Sequence, residues 1–212
     1  MNDDLKLPVL ALYPELHEQA AAALGRAFIN DPVFLAIAPG VDDTTERARI
    51  LGEMFRAMLF VQRRTGQPAF GIIRDARVIA AAVTEGAGRA SVVDTVMAGV
   101  GQMPRMVRAI GVGGIRRAMA IFSALAQSHP HEPHLYLQTL GVEPAYQRRH
   151  LGGALLDYLR AQALARPDLT GVYLETATEA NVAYYSARGY QVIGEIAPLG
   201  VRMWRMFQRV RG

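Results

Sequence analysis

Leu137-Gln-Thr-Leu140-Gly-Val142-Glu-Pro144-Ala-Tyr-Gln147-Arg-Arg-His150-Leu-Gly152-Gly153-Ala-Leu-Leu156 is the stretch from which the rest of the chain is best read. Apolar residues alternate up to Val142 and read as a strand, which Glu143-Pro144 ends. From about Arg148 to Ala165 the period changes to that of a helix, with Leu151, Leu155, Leu159 and Leu164 as its apolar stripe. A helix that starts directly after such a turn presents unpaired backbone N–H groups and the positive end of its dipole, which together favour an anion. Gly152 and Gly153 carry no Cβ to keep a phosphate from the backbone. Arg148 and Arg149 add positive charge at the mouth. The pattern predicts a phosphate-binding strand–turn–helix.

Outward from this stretch, Gly171 to Thr176 reads as a strand, Glu179 to Arg188 as a short helix, Tyr190 to Ile196 as a strand and Val201 to Phe207 as a last strand. Upstream, Leu7 to Leu12 reads as a short strand and Glu15 to Asn30 as a helix broken by Asn30-Asp31-Pro32. Asp42-Asp43-Thr44-Thr45-Glu46 is a capping cluster that opens a second helix, and Ile50, Met54, Met58 and Val61 form its buried stripe. Phe70 to Ile73 and Val78 to Val83 flank the turn Arg74-Asp75-Ala76-Arg77 and predict a hairpin. Residues 86–133 form a helical insert, with helices near 92–109 and 114–127. Gly111-Val-Gly113-Gly114 joins them; it follows a helical pattern and lacks the spacing of a dinucleotide loop. The expected architecture is one α/β domain over 1–212. Its mixed, mostly antiparallel central sheet is flanked by helices, with the insert between the third and fourth strands.

Composition bounds the chemistry. The 212 residues are 51% hydrophobic and contain no cysteine, which supports a real core and excludes disulfides, thiol nucleophiles and Cys-based metal sites. No uninterrupted apolar run reaches the roughly 18 residues of a membrane helix, and the acidic Met-Asn-Asp-Asp start is unlike a secretory signal. The expectation is a cytoplasmic protein with no membrane partner. Residues 1–60 carry net −4 and residues 61–212 net +8; Lys6 is the lone lysine among 23 basic residues. The arginines are scattered and not interleaved with aromatics, so no nucleic-acid surface is expected.

The run from Gln147 to Gly152 resembles motif A of the GNAT superfamily of N-acetyltransferases, Gln/Arg-x-x-Gly-x-Gly/Ala, with His150 where the first loop glycine would stand. Asn181-Val-Ala-Tyr184-Tyr185-Ser-Ala-Arg-Gly189-Tyr190 resembles motif B, Asn-x-x-x-Tyr-x-x-x-Gly-Phe/Tyr. Both are closest in wording to the branch that contains puromycin N-acetyltransferase. The likeness is firm over 134–196, extends to 10–85 through Ala27-Phe28 and Asp31-Pro32, and is absent over 86–133.

That resemblance implies acetyl-CoA as co-substrate, bound over 134–196, with the insert on the acceptor side. Its pantetheine arm would lie where the fourth strand splays from the fifth, along Leu140, Gly141 and Val142. The Leu140 N–H would polarise the thioester carbonyl, and Arg148, Arg149, His150, Leu151, Gly152 and Gly153 would cradle the pyrophosphate. Asn181 would hold the arm, and the Tyr185 phenol would protonate the departing thiolate. Glycine takes positive φ freely and His uncommonly; if His150 instead keeps an ordinary helical turn its amide still points at phosphate, and its ring adds a contact to the phosphate, points to solvent, or weakens cofactor binding.

A general base is sought among carboxylates: Glu175 first, Glu85 next, with His134 and Gln138 able to hold a relay water, or none if the amine arrives deprotonated. Tyr184 reads as core or pocket wall. His129, His131 and His134 lack metal-ligand spacing and read as a connecting loop, and no metal is expected. Met97, Met103, Met106 and Met119 read as core or as an adaptable pocket wall. The expected partner is a small-molecule primary amine. Alternatives are a protein acceptor or a non-catalytic acyl-CoA-binding module. Val201 to Phe207 is a candidate interface strand of a homodimer, with Trp204 packed in core or interface.

Overall fold

A computed structural model describes residues 7–86 and 97–211. In chain order it has β1 (Val9–Ala11), α1 (His17–Ala27), α2 (Pro32–Ile37), α3 (Thr44–Arg64), β2 (Ala69–Arg74), β3 (Arg77–Glu85) and α4 (Met103–Ser128). Then follow β4 (His134–Val142), α5 (Leu151–Ala165), β5 (Gly171–Thr176), α6 (Glu179–Ser186), β6 (Gln191–Ile196) and β7 (Met203–Arg209). The seven strands form one sheet in the order β1-β2-β3-β4-β5-β7-β6. Every pairing is antiparallel except β4 with β5. That single parallel step follows from α5, which crosses over between two strands that have to run the same way.

The sheet has a core on each face. One gathers Leu24, Phe34, Phe55, Leu59 and Ile121 under α1 to α4. The other gathers Leu155, Leu159, Val172, Leu174, Tyr190 and Met206 around α5. Phe28, Phe34 and Phe55 lock α1, α2 and α3 together, with ring centroids 5.1–5.4 Å apart.

The hairpin forms as expected. Arg74 faces Arg77 across Asp75 and Ala76, both at positive φ, the two-residue turn whose twist suits antiparallel strands. Asp43 accepts from the Glu46 N–H at 2.7 Å and starts α3. Asn30-Asp31-Pro32, read as a break, also starts α2: the Asp31 carboxylate caps Val33 N–H at 2.9 Å, with Pro32 in the first turn.

The insert holds helices on both sides of the Gly-rich joint, as expected, with different bounds. Residues 92–96 lie outside the described residues, residues 97–100 are helical, and α4 is two helical segments that meet at Gly111, whose backbone is non-helical (φ 65°, ψ 172°). The joint therefore lies at Gly111, and helix resumes directly after it. By length and composition α4 is apolar enough to cross a membrane, which a search for an uninterrupted run passes over. Its Ala118, Ile121 and Leu125 join the core. The last strand, β7, is paired on both edges, between β5 and β6. β6 forms the sheet edge, with Val192 and Ile193 exposed. Trp204 is buried in the core on β7.

Candidate active site

The site begins where β4 and β5 part. They pair only from His134 opposite Gly171 to Leu137 opposite Leu174, while β4 runs on to Val142 and β5 to Thr176. The cause lies on the other edge of β4. Thr139 faces Val83 and Leu137 faces Thr84, so Gln138 is an extra residue bulged out of the ladder. A bulge bends its strand and re-aims the side chains after it. Leu140, Gly141 and Val142 therefore border the notch on the backbone edge that β5 leaves. The Val142 carbonyl accepts from Gln147 Nε2 at 3.2 Å. A Cβ on Gly141 would lie 2.7 Å from Leu24, so the glycine lets α1 approach β4.

At the open end of the notch stands the N-terminus of α5. Ala154 N–H is the donor that returns to His150 O, at 3.0 Å, leaving the amides of Leu151, Gly152 and Gly153 ahead of it in the first turn. No side chain caps the end. His150 takes the left-handed conformation (φ 65°, ψ 6°) and Arg148 has φ 60°. Of the two possibilities for His150, the ordinary helical turn is therefore overturned; the helix start demands a glycine-like backbone, and the histidine complies with it. Arg149 donates to Ala145 O at 3.2 Å and lies over the Tyr146 ring. A Cβ on Gly152 would lie 3.0 Å from Tyr184 Oη and one on Gly153 3.1 Å from Arg188 Nη2, so both glycines also make room for side chains of α6 and the turn after it.

α6 starts at Thr178, whose Oγ1 accepts from Asn181 N–H at 3.4 Å, and Asn181 is exposed on its first turn. Tyr184 lies with the Arg188 guanidinium 3.8 Å from its ring centroid and its hydroxyl beside Gly152. Tyr185 is buried beside Tyr190, with ring centroids 5.7 Å apart. Burial first, then its neighbours Tyr184 and Asp31, pushes its phenol well above the ordinary value, so it stays protonated at any physiological pH. Asp31 is the acidic group near it, which the sequence marked as a helix break and as part of the resemblance but not as a site residue. Burial raises that carboxyl to about 6 against the pull of the Val33 and Phe34 amides.

Glu175 projects from the end of β5 that β4 leaves, still paired with Arg205 of β7, on the face that also carries Tyr136 and Tyr173. Burial raises its carboxyl to about 7, opposed by the Tyr173 and Tyr136 hydroxyls and the charge of Arg205. Its Oε1 is buried without a hydrogen-bond partner. Glu85, at the end of β3, accepts from Gln138 Nε2 at 3.0 Å, and Gln62 donates to Gln138 Oε1. The Tyr136 phenol feels both carboxylates, so Glu85 and Glu175 flank one point. Behind it opens a cavity of about 620 Å³ between α3 and α4, whose lining includes Met54, Met58, Met103, Met106, Met119, Glu85, Tyr136 and Gln138. Three of the four methionines singled out in the insert line this cavity; Met97 does not.

His129 and His134 bond to each other, with Nδ1 and Nε2 3.1 Å apart, and meet the Tyr173 ring tilted and edge-on. Among the described residues no cluster of three His, Asp or Glu side chains is placed to hold a metal ion.

The fold is shared with solved structures. A histone acetyltransferase HPA2 and related acetyltransferase from Corynebacterium glutamicum superposes with TM-score 0.68 at 22% identity, covering 95% of each chain. This chain has the GNAT fold. A polyamine N-acetyltransferase from Drosophila melanogaster matches with TM-score 0.60 at 17% identity over 95% of this chain and 98% of that one. A GNAT-like decarboxylase, GphF, in complex with isobutyryl-CoA matches with TM-score 0.57 at 16% identity over 96% of this chain and all of the other. The family model described as Acetyltransferase (GNAT) family matches residues 105–190, from α4 through α6. GNAT likeness thus starts inside the insert, earlier than residue 134, where the motifs alone put it.

Proposed function

We propose that this GNAT protein transfers an acetyl group from acetyl-CoA to a primary amine of a small molecule, by direct transfer with both substrates bound. The observation that carries the reading is Glu175: a carboxyl tuned to about 7, with a buried unpartnered oxygen, beside the strand notch and near Tyr136, which lines the cavity. A base with that affinity for protons is poised to deprotonate an amine at neutral pH.

The residues present suit a CoA ester. The β4 edge beyond Leu137 offers backbone along Leu140, Gly141 and Val142, and the first turn of α5 offers the amides of Leu151, Gly152 and Gly153. Arg148, Arg149 and His150 directly precede those amides in the chain, and Asn181 is exposed on the first turn of α6. Acetyl-CoA supplies the activated acyl group as a thioester. Glu175 takes the proton that the nitrogen loses as its bond to the acyl carbon forms. Tyr185 gives its proton to the sulfur as the carbon–sulfur bond breaks, and the Leu140 N–H steadies the carbonyl oxygen. A small acceptor, rather than a protein one, is supported by a cavity walled by α3 and α4. The likeness in wording to the puromycin N-acetyltransferase branch points the same way, as do structural neighbours named for agmatine and polyamine acetylation.

The test is a thermal-shift titration with acetyl-CoA beside CoA and ATP, followed by thiol release with primary amines. At about 100 times its dissociation constant the ligand stabilises by roughly 2.7 kcal/mol, a rise of roughly 5–10 °C. Binding without thiol release to any amine would overturn transfer in favour of an acyl-CoA-binding module; no binding would overturn both.

A further inference from the structure

The cavity between α3 and α4 is lined unevenly. Met54, Phe55, Met58, Met106, Ile110 and Phe122 make a continuous apolar wall. Among the described lining residues, Glu85 is the one carboxylate. The polar groups collect at the β3–β4 end, where Gln62, Gln138 and Glu85 form a hydrogen-bonded chain. Gln62 is 6% exposed, and its Oε1 is buried with no hydrogen-bond partner. Such an acceptor is costly to leave unpaired unless a ligand supplies the donor. Glu175 Oε1 is a second buried orphan acceptor, on the other side of Tyr136. One end of the cavity therefore asks for a group with several N–H donors and positive charge; the rest asks for hydrocarbon. From Gln62 back to Met54 the apolar wall of α3 runs eight residues, roughly 12 Å at 1.5 Å per residue.

We infer that the acceptor is a monoamine carried on a long apolar body, an alkyl- or arylalkylamine. Its ammonium is held by Glu85 and Gln62 Oε1 beside Glu175, and its tail lies along Met58 and Met106. The inference rests on the acetyltransfer reading and narrows it. It sets this chain apart from neighbours named for polyamines and agmatine. A second cationic end would have to sit among Met54, Phe55 and Ile110, with no carboxylate among the described lining residues there to pair it. Methionine suits the wall, since its flexible side chain adapts to ligands of different shape.

The experiment compares butyl-, hexyl- and octylamine with 1,6-diaminohexane, spermidine and agmatine, by thiol release from acetyl-CoA and, separately, by thermal shift with the amine alone. The expected result is a kcat/KM that climbs about fourfold per added methylene, from burial of about 0.8 kcal/mol each. Hexylamine should exceed 1,6-diaminohexane by roughly a hundredfold or more. M58E should erase the chain-length trend while the acetyl-CoA thermal shift stays unchanged. E85Q should raise KM for hexylamine about tenfold or more. Equal or better turnover of the diamine or spermidine would overturn the inference and leave acetyltransfer standing. If no amine is acetylated, melting temperatures that rise with tail length support the pocket assignment while transfer falls; melting temperatures indifferent to tail length overturn the pocket assignment.

Discussion

Tyr185 and Glu175 divide the proton work between two environments. The Tyr185 phenol is buried next to tyrosines and a carboxyl, which hold its proton on; Glu175 sits near neutrality because burial outweighs its hydrogen-bond donors. Y185F removes the donor with almost no change of shape. It should lower kcat about a hundredfold or more while leaving the acetyl-CoA thermal shift in place. Y184F, at a hydroxyl packed on Gly152, should leave kcat within a fewfold of the wild type. For Glu175 the check is the pH profile: kcat/KM should rise with pH and level off above about 7, and E175Q should lose both that inflection and most of the activity. His150 was legible as an anomaly in the motif but not in its consequence. A left-handed L-residue costs roughly 1–2 kcal/mol, partly offset by the extra freedom glycine loses on folding. H150G should therefore raise the melting temperature by about 1–3 °C without weakening acetyl-CoA binding, as a paired melting and titration series would show.

Among the elements, β4 and α4 shape the site. The bulge at Gln138 parts β4 from β5, and nothing in the local wording of Leu137-Gln-Thr announces it, because a bulge is a mismatch between two strands. α4 bends at Gly111 into a backbone region that is nearly glycine-only, and a Cβ there would touch nothing. G111A therefore tests conformation alone. It should destabilise by about 1–3 kcal/mol and, by straightening α4, raise KM for the amine more than KM for acetyl-CoA. Thermal melts beside steady-state kinetics separate the two effects. The Asp43 cap, the hairpin and β5 were legible because their signals are local: a carboxylate three residues before an amide, a two-residue turn between apolar runs. α2 was missed because a six-residue helix has too few turns to show a period.

On the scale of the whole molecule, two buried carboxyls hold protons more tightly folded than unfolded. Asp31 titrates near 6 and Glu175 near 7, against ordinary values of 3.8 and 4.5. The folded chain binds more protons through that interval, so the stability these groups contribute is complete below the ordinary carboxylate range. It is lost as pH rises through about 6 and then about 7. The melting temperature should fall between pH 5 and pH 8, and E175Q should remove its share, on the order of 3 kcal/mol.

The residues from Leu137 to Tyr190 by themselves determined the strand–turn–helix, its anion-favouring N-terminus, the short helix with its tyrosine and the order of the last elements. Each of these depends on neighbours within a turn or a strand length. Only the tertiary structure decided that Glu85 and Glu175 flank one phenol, that Gly152 faces Tyr184, that β7 lies inside the sheet, and that methionines from α3 and α4 close one cavity. Those are contacts between segments tens of residues apart. Periodicity says which face of an element is apolar, but the packing of the whole chain chooses what that face meets.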